Sequence, residues 1–160
     1  MTDIENAYIA HAQDVYRYLY SLTHDADISE ELTQETFFRA MRTIKSYDGR
    51  CKLRVWLCSI AKHMWYRHLA KNARYKRVEL DDQPVTDCYR LPEEAAMQNA
   101  DKTALYKAIH VLPDSMREVV HLRLTGEFSF AEIGEILGKT ENWARVTFYR
   151  AKMKIAEELQ

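Results

Sequence analysis

The chain is poor in the residues that turn, kink or cross-link a backbone. Its 160 residues include four glycines and three prolines, and strand-like alternation of apolar and polar positions is scarce. That excludes a sheet-rich fold, which needs turn residues between many short strands. No stretch is long and apolar enough to span a membrane, and the opening residues MTDIENAYIAHAQ lack the apolar core of a secretory signal. The expectation is a cytoplasmic protein with no direct membrane insertion. The three cysteines, Cys51, Cys58 and Cys88, are an odd number without paired spacing, which suits a reducing compartment. Cys51, Cys58, His63 and His68 lack the close pairs of a zinc site, and the two histidines, five residues apart, do not share a helical face. No metal and no cofactor is expected. A nucleophile with its base, paired catalytic carboxylates and a phosphate-cradling loop are all missing, so the chain reads as a non-enzyme. What is abundant is Leu, Ala, Glu, Arg and Lys at helical spacing, the composition of an all-α protein.

A net charge of −1 would argue against a nucleic-acid partner if charge were evenly spread. It is segregated instead. Gly49 to Arg77 holds nine Lys or Arg and no acid, whereas Val78 to Asp101 holds seven acids and one Arg. Local field, not net charge, decides where a polyanion docks.

The most informative stretch is Ser129 to Lys154. Ser129 followed by Glu132 predicts a capping box, with Ile133, Ile136 and Leu137 as the apolar stripe behind it. Gly138 stands where a left-handed residue ends a helix, and Thr140 is placed to cap the next. Ala144, Phe148, Ala151 and Ile155 form the inner face of that second helix, and Gly134 and Ala144 are small where helices must cross closely. The outer face is rich in donors: Asn142, Arg145, Val146, Tyr149, Arg150 and Lys152. This is the pattern of a helix-turn-helix whose second helix enters the major groove. An ordinary helical hairpin with a solvated basic face is the plainer reading, and the two caps, the small residues and the basic second helix weigh against it.

Taken in order, the first helix is expected from residue 3 to Thr23, with Ile4, Ala7, Tyr8, Val15, Tyr18, Leu19 and Leu22 inward. Asp27 or Ser29 is expected to cap a second helix reaching about Ser46, with Leu32, Thr36, Phe37, Ala40, Met41 and Ile44 inside. Glu31, Gln34, Glu35 and Phe38 share its other face, and the exposed ring favours a protein contact there. After a turn at Tyr47 to Arg50, a third helix is expected from Arg54 to Ala73, burying Trp56, Leu57, Ile60, Ala61, Met64 and Leu69. Its outer face interleaves cations with Trp65, Tyr66 and Tyr75, a surface suited to unpaired bases and their phosphates. Residues 78–91 read as an acidic linker. A helix starting at Pro92 then continues through Ala96, Ala100, Ala104, Ala108 and Val111, and Leu112-Pro113-Asp114 ends it. Met116, Val119, Val120 and Leu124 mark one more helix before the helix-turn-helix. The chain therefore divides into two small helical domains, 1–77 and 92–160, joined by the acidic linker.

Three motifs in this order, ADISEELTQETFFRAMRTI, WLCSIAKHMWYRHL and LPDSMREVVHLRLTGEFSFAEIGEILGKTENWARVTFYRAKMKI, resemble the extracytoplasmic-function (ECF) sigma factors. The resemblance covers nearly the whole chain. It implies an alternative sigma factor that binds core RNA polymerase and directs promoter-specific initiation. Glu31, Leu32, Gln34, Glu35 and Phe38 would contact the polymerase. Asp48, Arg50 and Lys52 of the loop, with Arg54, Lys62, His63, Tyr66, Arg67 and Lys71 of the third helix, would read the −10 element as it melts. Thr140, Asn142, Trp143, Arg145, Val146, Tyr149, Arg150 and Lys152 would read the −35 duplex. Promoter DNA and core polymerase are thus the implied partners, with an anti-sigma factor, soluble or membrane-anchored, holding the protein inactive. The family often has Asn at the position of His63 and Asp at that of Arg67, a smaller residue at Trp65, and a more polar pair at Val146 and Thr147. These departures bear on the promoter sequence. Two other classes fit less well: a stand-alone helix-turn-helix regulator, which would need an effector or dimerisation domain, and a His/Cys nucleic-acid enzyme, which would need ligand spacing the chain lacks.

Overall fold

A computed structural model describes the backbone of residues 3–78 and 100–160 and the side chains of residues 4–73 and 102–160. The chain divides between Cys88 and Tyr89 into two compact units. Among the described residues every regular element is helical.

The first unit is a bundle of three mutually packed helices, α1 (Asp3–Thr23), α2 (Ala26–Thr43) and α3 (Leu53–Val78), with a short 3₁₀ turn at Ile44–Ser46. Ala7, Val15, Tyr18 and Leu19 of α1 are buried against Leu32, Phe37 and Ala40 of α2 and Val55, Leu57, Cys58 and Ala61 of α3. Tyr8, expected inside, is half exposed and meets the Phe37 ring edge-on at 5.0 Å. α1 ends at Thr23 as expected, but α2 starts earlier than the sequence suggests. His24 adopts a left-handed φ of 54° and its N–H donates to the Tyr20 carbonyl at 2.9 Å, which stops α1. Asp25, not Asp27 or Ser29, then caps α2, accepting from the Ile28 N–H at 3.0 Å. Ser29 is buried instead, its hydroxyl 2.6 Å from that of Thr23 and donating to the Asp25 carbonyl. Met41 is half exposed because it lies one residue past fully buried Ala40 and so about 100° round the helix.

α3 begins one residue before the expected start and continues to Val78, one residue into the expected linker. Residues 79–91 of that linker and residues 92–99 of the helix expected from Pro92 lie outside the described residues. From Tyr66 to Ala73 every residue except half-buried His68 is exposed, so this half of α3 runs past the helices it packs on. Leu69, expected inside, is exposed for that reason.

The second unit contains α4 (Ala100–His110), α5 (Asp114–Leu124), α6 (Phe130–Leu137) and α7 (Glu141–Glu158). Ile109, Leu112, Val120 and Ala151 form its core, with Leu105, Met116, Phe148 and Ile155 packed around them. Of the expected stripe, Ala108 is buried while Ala104 and Val111 face outward. Pro113 precedes α5, as the break at that position requires. At the end of α5 the inward residue is Leu122, and Leu124 is exposed. Phe128, in the connection to α6, is almost completely buried. Its ring folds over Gly126, where any Cβ would lie 2.6 Å from it.

The helix-turn-helix forms from the expected caps. Ser129 Oγ accepts from the Glu132 N–H at 3.1 Å, and Glu132 Oε1 accepts from the Ser129 N–H at 3.0 Å. Gly138 ends α6 at a φ of 69°, and Thr140 Oγ1 accepts from the Trp143 N–H at 3.0 Å to start α7. Gly134 is small for a different reason than helix crossing. A Cβ there would meet the Lys139 carbonyl oxygen at 2.7 Å, so the turn backbone occupies its place.

Candidate nucleic-acid and protein interfaces

α7 separates its faces cleanly. Ala144, Thr147 and Ala151 are buried, while Asn142, Arg145, Val146, Tyr149, Arg150 and Lys152 are exposed. Thr147 therefore faces the core. Thr140 is exposed but its hydroxyl is committed to the helix cap, and Trp143 is half buried with the Lys139 ammonium 5.6 Å from its ring centroid. Arg145 is held from two sides. Its guanidinium donates to Glu141 Oε1 at 2.9 Å and lies 5.6 Å from the Phe130 ring centroid. Arg123 lies 4.2 Å from the same ring and donates to the Phe128 carbonyl at 3.0 Å. Phe130 also packs on Phe148 at 5.6 Å. The role of Phe130 escapes a reading of the α7 pattern because it comes from the other helix of the motif. Its aromatic character at the start of α6 is the one available signal.

In the first unit the loop before α3 is fixed at both ends. The Tyr47 hydroxyl donates to the Cys51 carbonyl, and the Tyr47 ring packs on Trp56 at 5.2 Å. Between them Asp48 accepts from the Arg50 N–H at 3.0 Å and pairs with its guanidinium at 3.1 Å, while Gly49 takes a φ of 79°. Asp48, Arg50 and Lys52 are all exposed. Along α3, His63, Tyr66, Arg67 and Lys71 are exposed and Arg54 is half buried. Lys62, expected outside, is buried at 8% exposure. It follows fully buried Cys58 by one turn, so its stem lies along the core and its ammonium sits 5.7 Å from the Tyr66 ring centroid. Trp65 is half buried and stacks on His68 at 5.7 Å, which leaves Tyr66 as the exposed ring. Tyr75 lies where side chains are not described. Burial pushes the Cys58 thiol up to about 12, against a smaller opposing pull from Arg54, so the group stays protonated and is a poor metal ligand. Among the described residues no cluster of His, Cys, Asp or Glu could hold a metal ion.

On α2 the strip of Glu31, Gln34, Glu35 and Phe38 is exposed, and Arg42 covers the Phe38 ring at 5.7 Å. Leu32 does not belong to it. At 3% exposure it is core, in register with buried Thr36 and Ala40 one and two turns on. Phe38 also borders an apolar groove formed with Ile4, Tyr8, Ile9 and Met41.

The two units match two parts of one family. Residues 7–75 match Sigma-70 region 2, and residues 102–155 match Sigma-70, region 4. The ECF RNA polymerase sigma factor SigM of Bacillus subtilis (strain 168) is 30% identical over 153 residues, spanning 95% of this chain and 92% of SigM. The chain belongs to the ECF sigma factors. As a sigma factor it binds core RNA polymerase and directs promoter-specific transcription initiation through the −10 and −35 elements. The RNA polymerase sigma factor YlaC of the same organism is 28% identical over 158 residues, spanning 98% of this chain and 91% of YlaC. Among solved structures, the sigma factor RpoE from Bartonella quintana shares the fold at a TM-score of 0.78 and 22% identity, over 99% of this chain and 98% of that one. Among the described residues no helix is long and apolar enough to cross a membrane.

Proposed function

We propose that this sigma factor divides its work between its units. Residues 1–77 dock on core polymerase through Glu31, Gln34, Glu35 and Phe38, and capture the −10 strand with the loop from Asp48 to Lys52 and the exposed residues of α3. Residues 92–160 read the −35 duplex with Asn142, Arg145, Val146, Tyr149, Arg150 and Lys152. Residues 78–91 tether the two, so that either contact raises the effective concentration of the other. Capturing an unpaired base shifts DNA towards the open form, because unstacking costs only a few kcal/mol per base. The chain supplies no reacting group of its own; RNA synthesis belongs to the polymerase, and the protein works in the cytoplasm beside it. Bartonella quintana RpoE forms a complex with an anti-sigma factor, and the same kind of partner is proposed to hold this chain inactive.

The observation that carries the reading is the two-faced α7, buried at Ala144, Thr147 and Ala151 and donor-rich on the opposite side. Run-off transcription on genomic fragments with added core polymerase tests it: specific start sites should depend on the protein. The docking strip has its own test. A Glu35→Lys, Phe38→Ala variant should fold normally and lose core pull-down by at least about tenfold, since it reverses one charge and removes an exposed apolar anchor. Unchanged pull-down would move docking elsewhere.

A further inference from the structure

Arg39 belongs to α2, outside the acid-free run that marks the basic surface in sequence. In the fold it forms one wall of a cleft whose other wall is α3, lined by Ile60, His63, Met64, Tyr66 and Arg67. The cleft has a volume of about 580 Å³, within the range of small-ligand sites. Its floor is apolar, with Met64 buried and Ile60 half buried, and Tyr66 is 44% exposed beside it. Two guanidinium groups and an imidazole line it, and no carboxylate does. Among the described residues no ion pair or side-chain hydrogen bond engages Arg39, His63 or Arg67. Glu35 lies one turn before Arg39 on the same helix, the ordinary partner for a surface arginine. No ion pair joins them among the described residues. Arg39 therefore faces Arg67 and His63 across an apolar floor and leaves an available acid unused.

We infer that Arg39 and Arg67 clamp one internucleotide phosphate of the unpaired DNA strand, with its base against Tyr66. The inference rests on the reading of α3 as the strand-capturing surface and adds a contact from α2 to it. Arginine forks match phosphate oxygens in pairs, and an exposed ring with an apolar floor suits a base face. A protein occupant fits less well. The neighbouring docking strip on α2 carries Glu31 and Glu35, so its partner surface should be basic, and a basic surface gains nothing from Arg39.

The test uses the full chain with core polymerase on a duplex promoter. Arg39→Ala should keep core pull-down and −35 binding, and should lower open-complex formation, read by permanganate reactivity, by about tenfold, the size of one charge-assisted contact. The salt slope of binding should fall by about one. Arg39→Lys should recover part of the loss. A scan of neutral methylphosphonate linkages along the −10 strand should find a position that weakens the parent but not Arg39→Ala. Loss of core pull-down would make Arg39 a protein contact and overturn the inference. So would normal opening, or a methylphosphonate profile identical to the parent's. A Tyr66→Ala variant separates the two levels: if it too opens DNA normally, the reading of α3 fails; if it is defective while Arg39→Ala is not, only the clamp fails.

Discussion

The two surfaces proposed to face DNA are built on opposite principles. In the second unit the reading groups are tied down: Arg145 is bracketed by Glu141 and Phe130, the helix that carries it is capped by Thr140, and the helix before it by Ser129 with Glu132. In the first unit no ion pair among the described residues engages Arg39 or Arg67 of the cleft, and from Tyr66 to Ala73 every residue of α3 but His68 is exposed. Duplex DNA presents fixed donors and acceptors, so donors held in advance lose little freedom on binding. A melting strand has no fixed shape, which suits the proposed surface of an exposed Tyr66 ring beside Arg39 and Arg67.

The largest test of this contrast removes the open surface. His63→Ala, Tyr66→Ala and Arg67→Ala together should leave −35 recruitment intact and reduce strand opening by about a hundredfold or more, since stacking alone is worth about 1–3 kcal/mol per base. A template mismatched across the −10 region lacks the melting cost and should recover part of the lost transcription. Equal opening by variant and parent would reduce α3 to a scaffold. A smaller effect is expected from the tied surface. Arg145→Ala should weaken promoter binding by about 1–3 kcal/mol and relax preference at one or two base pairs. An equal loss on every sequence, measured by competition binding, would assign Arg145 to phosphate alone. The smallest effect belongs to the bracket. Phe130→Leu keeps an apolar side chain and removes the ring, and should cost about 0.5–1 kcal/mol of specific binding. In an Arg145→Ala background it should cost nothing more. Additive losses would separate the ring from the arginine.

The local grammar of the fold was readable in the sequence. Ser129, Glu132, Gly138 and Thr140 act within a few residues of themselves, and each does in the structure what its spacing implies. Errors arose where geometry at a distance decides. Lys62 looks like a surface cation, but the phase of α3 carries its stem inward behind Cys58. Leu69 looks like core, but α3 has by then outrun its partners. Asp27 looks like a cap, but a left-handed His24 moves the helix start back to Asp25. Arg39 and Phe130 escape the sequence pattern for one reason: each lies beside residues of another helix, and only packing brings them together.

Gly134 makes the placement of α7 sensitive to a single methyl group. Backbone, which cannot rotate aside like a side chain, fills the space a Cβ would need. An alanine there would have to push the turn, and α7 would swing on it like a lever. From Glu141 to Lys152 the helix is about 16 Å long at 1.5 Å per residue, so a tilt of about 10° moves its far end by about 3 Å. That is close to the rise of one base pair, about 3.4 Å. On the proposed reading of α7, one methyl group at Gly134 would therefore shift the helix by about one base-pair step along the DNA.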